Sequence, residues 1–142
     1  MAKAGCLLLA LMLSGCGGGP VEPRAVPVTG TVYYRANPVT SGEITFAPVD
    51  AKGQAAQAII NKDGSFVAKL SEAKPGLLPG EYKVTIISHK RPLDQIPPSE
   101  LAKLGDGNLA IPKKYTDQTT TNLTLSITVK DRSKHADFEL ED

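Results

Sequence analysis

The 142-residue chain has no tryptophan, two histidines and two cysteines, and both cysteines, Cys6 and Cys16, fall within the first sixteen residues. Beyond them there is no thiol, so neither a disulfide framework nor a thiolate metal site can form in the folded part. Aromatic residues are 5% of the chain, which leaves few platforms for stacking bases or sugars. Charge of one sign is also lacking. Sixteen Lys and Arg against fifteen Asp and Glu give +1, which removes the electrostatic reason to expect a nucleic-acid partner. The apolar run Ala4 to Leu13 would rise only roughly 15 Å as a helix, half of a ~30 Å hydrocarbon core. Present in quantity are turn formers, 13 Gly and 11 Pro, within a composition 41% apolar and 22% charged. That is one globular, turn-rich domain; the length does not comfortably hold two.

The amino-terminal stretch has three zones: basic Lys3, apolar Cys6–Leu13, then the small residues Ser14 and Gly15. This is the layout of an export signal. Leu13-Ser14-Gly15-Cys16 resembles the lipobox of bacterial lipoproteins, a leucine, two small residues and a cysteine. The resemblance implies a diacylglyceryl group on the Cys16 sulfur, cleavage before Cys16, and acylation (palmitate or a similar chain) of the new amino terminus. Several acyl chains, at about 0.8 kcal/mol per buried methylene, hold a membrane far better than one. Residues 1–15 are then the signal peptide, with Cys6 discarded, and 16–27 a lipid-anchored tether. GGGPVEPRAVP, rich in Gly and Pro, buries little. Residue 17 is glycine, where inner-membrane lipoproteins of enterobacteria carry aspartate. The expected location is the cell envelope, outer membrane favoured over inner.

From Val28 the hydrophobic period is two. Expected inward sets are Val28, Gly30, Val32 and Tyr34; Ile44 and Phe46; Phe66, Ala68 and Leu70; Tyr82, Val84 and Ile86; Leu123, Leu125, Ile127 and Val129; and Ala136, Phe138 and Leu140. AAQAIIN fits this rhythm less regularly. Asn61-Lys62-Asp63-Gly64 reads as a hairpin turn, with further turns at Asn37-Pro38, Pro75-Gly76 and Pro79-Gly80. About seven short strands with such punctuation make an all-β fold, a single antiparallel β-sandwich over 28–142. Residues 89–114 form a long loop in which Pro98 opens, and Gly105 closes, a turn or two of helix. Long loops in small domains are usually functional or mobile, so a binding surface is sought here first.

Three motifs together resemble the carboxypeptidase-regulatory-like group of transthyretin-like, Ig-like sandwiches: Val28-Thr29-Gly30-Thr31-Val32 with Asn37-Pro38-Val39 and Glu43-Ile44; Lys62-Asp63-Gly64-Ser65-Phe66; and Leu78-Pro79-Gly80-Glu81-Tyr82-Lys83-Val84. The match covers Val28 to about Ser88 and departs at Ala36-Asn37, where the family commonly has a glycine. It implies scaffold roles. Gly30 stands where a side chain would collide, and Tyr82 enters the core with its hydroxyl at the edge. The hydroxyisourate hydrolases of this broad fold end in a tetrapeptide beginning with tyrosine and use several histidines; here the chain ends Phe138-Glu139-Leu140-Glu141-Asp142.

Residues that could carry chemistry are few. Ser88, His89 and Asp94 have triad chemistry, but sequence neighbours on an extended chain point apart. His135, Asp137 and Glu139 share one face of a strand whose other face is apolar, the pattern of a wet face rather than a metal site. Asn122-Leu123-Thr124 is a glycosylation sequon by pattern only. Lys90, Arg91, Lys113, Lys114 and Tyr115 bracket the long loop and would form a basic patch beside an aromatic if the loop ends meet. The expectation is a non-catalytic, lipid-anchored structural or interaction module without metal or cofactor. Its partners would be the membrane, through Cys16, and an envelope protein or glycan. The alternative is a glycan- or peptide-binding module using the 89–114 loop and its basic flanks.

Overall fold

The computed structural model describes Gly17 and residues 23–142. The expected signal peptide (1–15), Cys16 and most of the expected tether (16–27) lie outside the described residues. The strands are β1 (Val28–Tyr34), β2 (Asn37–Pro38), β3 (Gly42–Pro48), β4 (Ala56–Ile60), β5 (Ser65–Val67), β6 (Lys69–Ser71), β7 (Lys74–Pro75), β8 (Gly80–Ile87), β9 (Thr124–Ile127), β10 (Lys134–His135) and β11 (Phe138–Leu140). They make the expected sandwich. The larger sheet has the order β7-β6-β4-β3-β8-β9, all antiparallel. The smaller is built on β1, which pairs antiparallel with β2 and β5 on one side. On the other side it pairs with β10 and β11, and these run parallel to it.

The alternating residues are the core. Val28, Val32, Phe66, Phe138 and Leu140 of the smaller sheet face Ile44, Phe46, Ile60, Val84, Ile86 and Leu125 of the larger, all buried. Phe66 joins the layers, its ring 6.1 Å from Phe46 and stacked 5.8 Å from Phe138. Such pairs contribute about 0.5–1.5 kcal/mol beyond their area burial. Strand β4, which looked irregular, alternates cleanly: Ala56, Ala58 and Ile60 inward, Gln57 and Ile59 outward.

The structure redraws several segments. SFVAKL is not one strand: Ser65–Val67 pairs with β1, Lys69–Ser71 pairs with β4, and the chain crosses between sheets at Ala68, which is fully buried. HADFELE is interrupted at Ala136-Asp137, where the Ala136 N–H donates to Thr29 O and the Thr31 N–H donates to Asp137 Oδ1. A Cβ on Gly30 would lie 1.7 Å from the Ala136 carbonyl oxygen and 2.9 Å from the Phe66 ring, so glycine is required there. Val129 is not inward but 82% exposed. The strand stops at Ile127 because the Asp131 carboxylate accepts the Thr128 N–H and turns the chain. Finally, Asn37-Pro38 is a returning strand rather than the turn; the reversal is made by Arg35 and Ala36.

The two ends of the sandwich differ. At one end the chain enters at Val26, assigned by pattern to the tether but buried and hydrogen-bonded both ways with Leu77. β1 then runs roughly 20 Å to the opposite pole, at about 3.3 Å per residue. The Arg35-Ala36 turn, the start of β3, the end of β8 and the end of β11 gather at that far pole.

Candidate functional site

The long loop is rooted at the far pole. Lys90 N–H donates to Asn108 O, and Ala110 N–H donates to Ser88 O, both at 2.8 Å, with His89 and Leu109 paired between them. The Asn108 side chain completes the clasp. Its Oδ1 accepts the Arg91 N–H at 3.1 Å and its Nδ2 donates to Arg91 O at 3.0 Å. Asn108 is buried, so both ends of its amide are satisfied where water cannot reach. Within the loop a short α-helix, α1 (Pro98–Leu104), begins at proline and ends before Gly105 at φ +45°. Ile111 is part of the core and pins the loop to the body, and Ile96 is buried as well.

The loop ends do meet, and the flanking cations come to one pole with distinct surroundings. Arg91 pairs with Glu100 and Lys113 with Asp106, each at 2.8 Å. The Asp106 hydrogen bond raises the Lys113 pKa. Lys114 Nζ donates to Asp142 O at 3.1 Å and stands 5.0 Å from the Tyr115 ring centre. Lys90 Nζ donates to Gly107 O at 3.2 Å. Tyr115 is a core residue, 2% exposed; its hydroxyl donates to Glu141 O and accepts the Glu141 N–H. It locks the carboxyl-terminal segment onto the sandwich.

Sequence reasoning passed over Tyr34, Arg35 and Asp142. Arg35 and Ala36 hold φ +50° and +63°, the left-handed region that costs an ordinary residue about 1–2 kcal/mol. Asn37 Nδ2 donates to Arg35 O, and Arg35 Nε and Nη2 both donate to Asp142 Oδ2, at 3.1 and 2.7 Å. The Tyr34 hydroxyl donates to Asp142 Oδ1. This bond, with Arg35, holds the Asp142 carboxyl below the ordinary range, and the same bond raises the Tyr34 hydroxyl. Beside this cluster lies a pocket of about 330 Å³, lined by Tyr34, Arg35, Val39, Thr40, His89 and Lys90 among others. Larger grooves, of about 500 Å³ beside Pro23 and Leu78 and about 430 Å³ between Ile59 and Val67, do not gather charge of one sign.

The other chemical candidates are consumed by the scaffold. The buried Ser88 hydroxyl donates to Ser41 O at 2.6 Å, and Asp94 sits in a separate turn, Leu93–Gln95. His135 Nε2 lies 3.0 Å from Asp137 Oδ1 on the exposed face, and no group of three or more His, Cys, Asp or Glu among the described residues could hold a metal ion. The Tyr82 hydroxyl, raised in pKa by burial, donates to Leu78 O at 2.7 Å and holds the start of β8. No helix among the described residues is long and apolar enough to cross a membrane.

No family model matches the chain, and no curated protein matches it. A solved structure of a DUF3823 family protein from Parabacteroides merdae is similar over 84% of this chain, at 14% identity and a TM-score of 0.44. The matched region is 47% of that protein's chain.

Proposed function

We propose that the chain is a non-catalytic, lipid-anchored β-sandwich of the bacterial cell envelope, serving as a structural or interaction module. The observation that carries this reading is the separation of the two ends. The tether leads into the sandwich at Val26, beside Leu77, while the clasped loop projects from the opposite pole. A lipid on Cys16 would therefore present the loop pole away from the bilayer. The sequence Leu13-Ser14-Gly15-Cys16 supports the anchor, and Gly17 supports the outer membrane. Kinship with carboxypeptidase-regulatory-like domains belongs to the same proposal, resting on the Asp63-Gly64 turn and on Pro79-Gly80 before the buried Tyr82. In cells, the Cys16→Ser variant is expected to move from the membrane pellet to the soluble fraction; a variant that still pellets like the parent contradicts the anchor.

A second reading, a glycan- or peptide-binding module at the loop flanks, is favoured by Lys90 and Lys114, whose ammonium groups each meet one carbonyl oxygen among the described residues and have further donors to offer. Pull-down of envelope material that disappears when Lys90, Arg91, Lys113 and Lys114 are changed to Ala would support it; capture unchanged by the four substitutions would contradict it.

A further inference from the structure

We infer that the pocket between the Arg35-Ala36 turn and the root of the long loop binds an anionic sugar unit, with Arg35 and Lys90 taking its carboxylate. The inference rests on the glycan form of the second reading and moves its centre from the loop flanks to this pocket.

The lining supplies the argument. Arg35, His89 and Lys90 are among the residues that line the pocket and no aspartate or glutamate is, the nearest described carboxylate partner of the lining being Asp142, bonded to Tyr34 and Arg35. Among the described residues, the Lys90 ammonium engages only the Gly107 carbonyl. Arg35 gives Nε and Nη2 to Asp142, which fixes the guanidinium and, among the described residues, leaves Nη1 without a hydrogen-bond partner. A guanidinium held in this way offers its remaining N–H groups to a second carboxylate at little cost in side-chain ordering. Around the cations stand the chemical groups a sugar ring needs. The Tyr34 ring, 5.1 Å from the guanidinium, and Val39 and Ala110 offer apolar surface, while Thr40 and Asn37 offer polar groups. A volume of about 330 Å³ exceeds what a bare oxyanion fills and falls at the lower end of small-molecule sites.

The backbone gives an independent reason. A two-residue hairpin reversal with both central residues at positive φ is met with least strain by Asn-Gly. This chain uses Arg-Ala there and keeps the conformation with hydrogen bonds from Asn37 and to Asp142. Strain of this kind, held by its surroundings, clusters at ligand sites. Position decides between two anionic partners: the pocket lies at the pole opposite Val26, away from the bilayer to which Cys16 would be tied, and this favours a glycan over lipid headgroups.

Binding is measured by calorimetry on the full chain in neutral detergent, with tetragalacturonate as probe and a neutral galactose tetramer as its match. The charged probe is expected to bind and the neutral one to bind at least tenfold more weakly. Arg35→Ala and Lys90→Ala should each weaken binding about tenfold or more, and Lys52→Ala, in the loop after β3, should leave it unchanged. Circular dichroism on each variant checks that the sandwich persists. Equal binding of both tetramers, no binding of either, or binding only to vesicles of anionic lipid overturns the proposal. If the combined Arg91, Lys113 and Lys114 to Ala variant loses binding while Arg35→Ala and Lys90→Ala keep it, the loop-flank reading stands and the pocket does not.

Discussion

Two tight turns lie side by side at the far pole and solve the same problem with opposite means. In the Asn61–Gly64 turn, Asp63 Oδ1 accepts the N–H and hydroxyl of Ser65, and Gly64 supplies φ +84°. Gly64 is buried against its neighbour: a Cβ there would stand 2.9 Å from Pro38 Cβ and 3.0 Å from Val32 O. In the Arg35-Ala36 turn two side-chain-bearing residues hold the left-handed region, facing solvent and the pocket. Glycine is therefore forced where backbones touch. Where the turn is open, side chains are tolerated if they are tied down, and here the tie is the Tyr34–Arg35–Asp142 cluster.

Four substitutions sharpen this contrast, in falling order of effect. Gly30→Ala is the extreme of backbone contact, since its Cβ would sit 1.7 Å from the Ala136 oxygen. It should cost about 3 kcal/mol, the top of the usual overpacking range, in chemical denaturation; a loss under about 1 kcal/mol would show that β10 and β11 are not held as described. Gly64→Ala should cost about 1–2 kcal/mol from its left-handed φ alone, with the contact to Pro38 adding to it. Ala36→Gly has the opposite sign. Relief of the left-handed penalty, partly offset by the extra freedom of glycine in the unfolded chain, should stabilise by a fraction of 1 kcal/mol. A loss would mean that the turn is not strained.

The smallest effect is electrostatic. Asp142 is held below its ordinary pKa by the Tyr34 hydroxyl and then by Arg35, and Asp63, Asp117 and Asp131 are lowered chiefly by Ser65, Thr119 and Thr128. A carboxylate with a depressed folded pKa stabilises the fold above its unfolded value, about 3.9, and that contribution is lost as pH falls through the folded value. Stability should thus decline below about pH 4. Asp142→Asn should shrink that acid limb without abolishing it; an unchanged limb would remove Asp142 from the account.

What the sequence made legible is what local chemistry decides. Period-two alternation found the inward faces from Val28 to Ile127, Asp63-Gly64 announced its turn, and Pro98 and Gly105 bounded α1. What it hid depends on partners far along the chain. The split of Ser65–Ser71 between two sheets follows from where β1 and β4 lie, not from its own residues. The parallel course of β10 and β11 follows from their docking along β1 across the gap that Gly30 leaves. At the pole, the cations were visible but their companions were not. Asn108 clasps Arg91 across seventeen residues, and Asp142 reaches Arg35 from 107 residues away. Tyr115 reads as a surface aromatic beside two lysines until Glu141 is seen bonded to its hydroxyl. Arg35-Ala36 was masked by the stronger turn signal of Asn37-Pro38.

The proposed orientation, with the loop pole away from a bilayer, depends on what is bonded to the Cys16 sulfur. Mass spectrometry of the amino-terminal peptide, from protein isolated out of the envelope, reads this directly. The expected result is a peptide that begins at Cys16 and carries acyl chains. A peptide that retains the residues before Cys16, or one that shows an unmodified thiol there, would contradict it.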